Sequence, residues 1–265
     1  MAYLRNIGFK LIEDLESEGR RTFSVEEAIK RLNSKRKNAL AILGGLKRAR
    51  RIVSLTSGLY ALWHPSERRW GIHPLPVLDA LMKYRNCPYY VGLLSAADYY
   101  GAAHHKPQVL QVIISKQMRF RKAKDLALSL HVFNQFPSEG LSSVKTQGDM
   151  IIFSSPERTV LDLFCFESAC GGFKNICLVI RDLLPKLKKE NLKKIIDAYP
   201  YSSSIQKLGY MLEHFESDKP LMDVLNKWAS HHKRPNISLS SRLPKKGKIH
   251  PLWHVIENAK IEEEE

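Results

Sequence analysis

The 265-residue chain is poor in acids, poor in cysteine and without long apolar runs, and each shortage excludes something. No stretch approaches the roughly 18 consecutive apolar residues of a membrane span, and the opening MAYLRNIGFK lacks the apolar core of a signal peptide. The expectation is a cytoplasmic protein with no membrane partner. The four cysteines, Cys87, Cys165, Cys170 and Cys177, form no CxxC pair and no zinc-type pattern with histidine, so reduced thiols and no metal are expected. Acids are outnumbered 27 to 42 by Lys and Arg, giving a formal net charge of +15. That surplus favours a polyanionic partner, nucleic acid first.

The charge is concentrated. Between Arg20 and Arg51 stand eleven Lys and Arg against two acids, Glu26 and Glu27. Residues 34–62, SKRKNALAILGGLKRARRIVSLTSGLYAL, read as a basic helix followed by a short hairpin. Ser34 is the expected N-cap. Ala39, Leu40, Leu43 and Leu46 mark the apolar face, which leaves Ser34, Lys37, Asn38, Ala41, Gly45 and Arg48 opposite. After Arg51 the period changes: Ile52 to Leu55 and Leu59 to Leu62 read as strands around Thr56-Ser57-Gly58. Upstream, residues 2–18 read as an amphipathic helix closed by Gly19, and Ser24-Val25-Glu26-Glu27 as a capping box. Three helices and a hairpin in about 60 residues make a winged helix-turn-helix, whose third helix enters a major groove of double-stranded DNA. The expected DNA contacts are Ser34, Lys35, Arg36, Lys37, Asn38, Ala41, Arg48 and Arg51, with Thr56 and Ser57 of the wing. Asn38 is the expected base reader, because a carboxamide pairs bidentately with adenine. The bland alternative is a solvated amphipathic face.

The division read from the chain is 1–63 winged helix-turn-helix, 64–76 linker, 77–250 second domain and 251–265 tail. The expected fold class is α+β, with a larger mixed second domain holding a small sheet and a helical C-terminal part. Helix is expected over 77–84 and 93–103, strand over 109–114 and 126–133, and a hairpin around Gln147-Gly148-Asp149. Ser154-Ser155-Pro156-Glu157-Arg158 starts a helix, in which Arg158 and Asp162 stand four residues apart. Four helical segments follow, near 174–184, 188–198, 203–217 and 219–231. The region from His231 to His250 holds six basic residues and no acid: Lys233, Arg234, Arg242, Lys245, Lys246 and Lys248 form a second basic surface. The acidic run Glu262 to Glu265 is expected to be disordered.

Catalytic patterns are missing. There is no P-loop, no Gly-x-Ser-x-Gly and no dinucleotide fingerprint, so neither an enzyme nor a cofactor is expected. A nucleotidyltransferase needs carboxylates after a Gly-rich turn, but Gly44-Gly45 lies inside the basic helix and no Asp-x-Asp follows. A nuclease site at Asp149 and Glu157 lacks the Glu-x-Lys that should accompany it. His104-His105 and His231-His232 are neighbours pointing apart on helices and read as surface residues.

The basic winged helix, PYYVGLLSAADYYG, VLQVIISK, SSPERTVLDL and LGYMLE, in that order, resemble the AbiEi antitoxins of type IV toxin–antitoxin systems over about residues 10–245. The resemblance implies an antitoxin of abortive-infection phage defence that represses transcription of its own operon at inverted repeats. It further implies a neighbouring nucleotidyltransferase-type toxin, countered without a stable complex. Glu157, Arg158, Asp162, Leu208, Gly209 and Glu213 are motif residues, read as architecture rather than as a patch. The alternative reading is a winged-helix transcription regulator whose second domain senses a ligand or oligomerises.

Overall fold

The computed structural model describes residues 2–69, 71–103, 106–118, 126–146, 150–215 and 219–261, with side chains from residue 6. The chain forms two compact units: Met1–Tyr89 with Ile114–Ser129 and Val144–Ile151, and Tyr90–Ile113 with Leu130–Ser143 and Ile152–Glu265.

In the first unit, α1 (Ala2–Ser17) ends before Gly19, whose φ of +67° suits the turn that follows. Strand β1 (Thr22–Ser24) leads directly into α2 (Val25–Arg31). Half of the capping box forms: Ser24 Oγ accepts from the Glu27 amide at 3.1 Å. The Glu27 carboxylate turns away to Arg20 at 2.9 Å and Arg31 at 3.1 Å, because charged donors outcompete an amide. Helix α3 (Arg36–Arg48) is followed by β2 (Ile52–Thr56) and β3 (Leu59–Leu62). The three strands form an antiparallel sheet in the order β1-β3-β2, with Gly58 at φ +85° in the hairpin turn and an irregular register between Ser54 and Thr56. This is the element order expected of a winged helix-turn-helix. Its core is built from Leu11, Ile12 and Leu15 of α1, Ala28 of α2, Ile42, Leu43 and Leu46 of α3, and Phe23, Ile52 and Leu62 of the sheet. Two expectations fail here. Lys35, not Ser34, occupies the N-cap of α3, and the Ser34 hydroxyl has no partner. Leu40 is 41% exposed rather than inward, because Ile42 takes the place on the buried arc.

Residues 65–67 form a short 3-10 turn, and α4 (Leu75–Tyr84) follows.

The second unit holds the greater part of each strand of a five-stranded sheet: β4 (Tyr89–Val91), β5 (Leu110–Ile114), β6 (Leu128–Val132), β7 (Leu141–Lys145) and β8 (Met150–Ser154), in the order β6-β5-β4-β8-β7. Strand β4 was not expected. It lies beside β8 in parallel, with Val91 opposite Phe153, and is buried at every position, so it shows no alternation to read. Helix α5 (Leu93–Tyr99) stops short of the expected Ala103, at Gly101 with φ +68°. The hairpin residues Gln147, Gly148 and Asp149 lie outside the described residues, as do His104, His105 and the terminal acidic run.

The helical part comprises α6 (Pro156–Cys165), α7 (Phe173–Leu183), α8 (Lys189–Ala198), α9 (Ser202–His214) and α10 (Lys219–His231), close to the expected ranges. Helix α6 is buried from Glu157 to Phe164 and is the axis of the unit. Ser155 caps it, with Pro156 in its first turn. Strands β9 (Ile237–Ser238) and β10 (Val255–Ile256) pair in parallel near the end of the chain.

Candidate functional site

Helix α3 is built against its own local preferences. Its first turn holds Arg36 and Lys37 and no acid, and no side chain caps it. Cations there oppose the positive end of the helix dipole. Midway stand Gly44 and Gly45, each costing about 1 kcal/mol against Ala in a helix interior. Nothing in the unit explains them. A Cβ at Gly45 would meet no atom within 4 Å, and one at Gly44 only the Arg48 guanidinium at 3.9 Å.

Lys35, Lys37, Asn38, Ala41 and Arg48 are exposed on the side away from the core, with Leu40 on its shoulder. Ion pairs occupy only part of the surplus charge: Arg20 with Glu27, Arg21 with Glu67, Arg31 with Glu18 and Glu27, and Arg36 with Glu26 at 3.3 Å. Among the described residues, Lys35, Lys37, Lys47, Arg48 and Arg50 have no carboxylate within 4.0 Å. The result is a convex, cationic helix face whose centre is nearly bare backbone. Arg51 is half-buried, its guanidinium 5.3 Å from the centre of the Phe9 ring. Thr56 is half-buried and Ser57 exposed at the hairpin tip.

The second basic set is also surface, with one exception. Lys233, Arg242, Lys245, Lys246 and Lys248 are exposed, whereas Arg234 is half-buried and donates to the Leu252 carbonyl.

The motif residues of the second unit form a buried polar centre. Arg158 is 2% exposed and Asp162 fully buried. Asp162 accepts from Arg158 Nε at 3.1 Å and from the hydroxyls of Tyr90 and Tyr199, each at 2.8 Å. The guanidinium lies 4.7 Å from the Tyr199 ring centre and 4.9 Å from that of Phe133. Burial pushes the Asp162 carboxyl up, against the pull of Arg158 and the two tyrosines. With its partners and aromatic walls in place, this centre organises the core. Glu157 is 1% exposed and its Oε1 accepts from the Lys188 amide at 2.8 Å and from Asn191 at 3.4 Å. Glu157 thus ties the start of α8 to α6, which engages it structurally rather than as a metal ligand; Asp149, its supposed partner, lies outside the described residues. No cluster of three metal-ligating side chains occurs among the described residues, and no helix there is long and apolar enough to cross a membrane.

Gly209 answers to Trp253. A Cβ on Gly209 would lie 2.4 Å from two atoms of the Trp253 ring. Trp253 is completely buried, and its indole N–H donates to Glu213, the last residue of LGYMLE. Glu167 makes a second such tie: its carboxylate accepts from the Ser240 hydroxyl at 2.5 Å and the Ser241 amide at 2.8 Å. Neither tie was expected from the sequence. The available signals were a glycine inside a helix and a lone Trp in a polar tail.

The fold is therefore that of an α+β protein with a basic helix-and-hairpin unit and a second unit centred on SSPERTVLDL. Residues 90–214 match the family described as the AbiEi antitoxin C-terminal domain. The matched stretch is similar to that domain and contains both SSPERTVLDL and LGYMLE. A crystal structure of the RV2827C protein from Mycobacterium tuberculosis is similar in fold, with a TM-score of 0.71 over 94% of this chain and 90% of that one, at 14% identity. No curated protein matches the chain.

Proposed function

We propose that this protein is a non-enzymatic antitoxin that also binds double-stranded DNA and represses its own operon. The winged unit, centred on residues 1–63, carries the DNA contacts, and the part from residue 77 onward acts against the toxin. The observation that carries the DNA reading is the exposed face of α3: Lys35 and Lys37 at its start have no carboxylate within 4.0 Å among the described residues, and a Cβ at Gly45 would meet no atom within 4 Å. A phosphate backbone relieves the charge at the helix start, and bare backbone lets a groove wall approach closely. Lys35, Lys37 and Arg48 contact phosphates, while Asn38 reads a base. The second unit, by its family, counters a toxin of a neighbouring gene, of the nucleotidyltransferase type and without a stable complex. The protein works in the cytoplasm.

The test uses full-length protein and the DNA upstream of its gene. Lys37→Ala and Arg48→Ala each lower affinity for every sequence and reduce the slope of log K against log salt by about 0.9. Asn38→Ala instead relaxes discrimination at one base pair by about 1–3 kcal/mol. In cells carrying the neighbouring toxin, Lys37→Glu with Arg48→Glu loses repression and keeps neutralisation. Loss of neutralisation alone, with repression intact, contradicts this division of labour.

A further inference from the structure

Helices α8 and α10 pack against each other and leave between them a groove of about 430 Å³ that no part of the reading above uses. Helix α10 lies beyond the residues matched by the antitoxin family. Two rows of charge line the groove: Lys189, Lys193 and Asp197 at four-residue spacing on α8, and Asp223, Lys227 and His231 likewise on α10. All six are exposed. None of the three ammonium groups has a carboxylate within 4.0 Å among the described residues, although two aspartates share the groove. The lysines therefore share one groove without a close counter-ion among the described residues. Lys186, Lys188, Lys194 and Lys233 are exposed nearby in sequence and add to the excess.

The groove also holds a prepared aromatic surface. The His232 ring lies flat on Trp228, with centroids 4.7 Å apart and planes inclined by 11°. Its Nδ1 faces the Trp228 carbonyl at 2.8 Å; a carbonyl only accepts, so this nitrogen carries the proton and the ring is held in place. Trp228 is buried and covers one face of His232, while His232 itself is exposed. A flat, anchored ring with one face open beside unpaired cations is what single-stranded nucleic acids use: a base stacks and the neighbouring phosphates find ammonium groups. A duplex keeps its base faces stacked internally and cannot use the ring. The aspartates choose between the single-stranded polymers. Carboxylates repel phosphate but accept from hydroxyl groups, and the ribose 2′-hydroxyl is the donor that DNA lacks.

We propose that the α8–α10 groove binds single-stranded RNA, with one base on His232, flanking phosphates on Lys189, Lys193 and Lys227, and a ribose hydroxyl on Asp197 or Asp223. The proposal uses none of the residues assigned to the operator. It is tested by fluorescence anisotropy on full-length protein carrying Lys37→Glu and Arg48→Glu, so that the two sites are read apart. The probe is a labelled RNA of about eight nucleotides, within the range of known single-strand site sizes. Competitors are the matching single-stranded DNA, a duplex and inorganic polyphosphate. The RNA binds best. His232→Ala weakens it by about fivefold or more, the effect of losing one stacked base, and His232→Phe restores it. Lys189→Gln and Lys227→Gln each flatten the salt slope by about 0.7. Asp197→Ala with Asp223→Ala removes the preference for RNA over single-stranded DNA. These are exposed positions, and unchanged melting curves confirm that the variants fold. Equal affinity for RNA in wild type and His232→Ala, full competition by polyphosphate, or tighter binding of duplex each overturns the proposal.

Discussion

Replacing Gly209 by alanine tests how tightly Trp253 is built into the core of the second unit. In an open helix the change is favourable by about 1 kcal/mol. Here the new methyl carbon would stand 2.4 Å from two atoms of Trp253 and 2.6 Å from a third. Carbon contacts are comfortable near 3.5–4.0 Å, so the ring must retreat by about 1 Å. It is poorly placed to do so. Its N–H is bound to Glu213, its backbone amide donates to His250 Nδ1 at 3.3 Å, and its carbonyl accepts from Gln206 at 2.7 Å. Overpacking costs about 1–3 kcal/mol when neighbours shift, and losing a buried Trp from its site about 3–5 kcal/mol. Subtracting the helix gain leaves about 0–2 kcal/mol if neighbours shift and about 2–4 kcal/mol if the anchored ring is displaced, the latter a melting temperature lower by roughly 10 °C. Thermal melts followed by circular dichroism measure this. The double variant Gly209→Ala, Trp253→Leu should be no less stable than Trp253→Leu alone, since the two changes act on one contact. A Gly209→Ala protein that melts at or above the wild-type temperature refutes the packing argument.

Gly45→Ala is the counterpart: with no atom within 4 Å of the added carbon it raises stability by up to about 1 kcal/mol, and it weakens binding to upstream DNA in mobility-shift assays. Arg158→Met leaves the Asp162 carboxylate buried without its cation and costs about 3–5 kcal/mol in denaturant melts, while Arg158→Met with Asp162→Leu recovers much of that loss. Glu167→Gln weakens the hold on Ser240 and Ser241, so limited proteolysis cuts the segment after residue 232 sooner than in wild type. Burial raises the Tyr100 phenol to about 12 and pushes Tyr90 and Tyr199 upward as well. Their contribution to stability is complete below the unfolded value of 10 and is lost as pH rises through the folded values. Melting temperature should therefore hold up to about pH 10 and then fall, with Tyr100→Phe softening the fall.

The helices were the legible part. Caps, glycine stops and apolar spacing are local, which is why α6 to α10 fall within a few residues of their expected ranges. The capping hydroxyls of Ser24 and Ser155 were legible for the same reason. Errors appear where a neighbour far along the chain decides. Strand β4 is covered at each of its three residues and has no polar face to betray it. Leu40 satisfied the helical period as well as Ile42 did, and only the position of α1 and the sheet selects Ile42. The motif SSPERTVLDL identified itself, but not its meaning: the tyrosines that complete the Asp162 site stand 72 and 37 residues away.

Sequence alone determined the surplus of positive charge, its concentration around α3, the order of the helices, and the resemblance carried by two short motifs. These are properties of neighbours along the chain, governed by backbone propensity and by counting charges. Tertiary structure alone decided that Trp253 fills the gap at Gly209, that Glu167 fastens the region around Ser240, and that α8 and α10 bring three unpaired lysines to a histidine laid flat on a tryptophan. Those depend on surfaces meeting across tens of residues, where shape and the exclusion of water, not local pattern, select the partner.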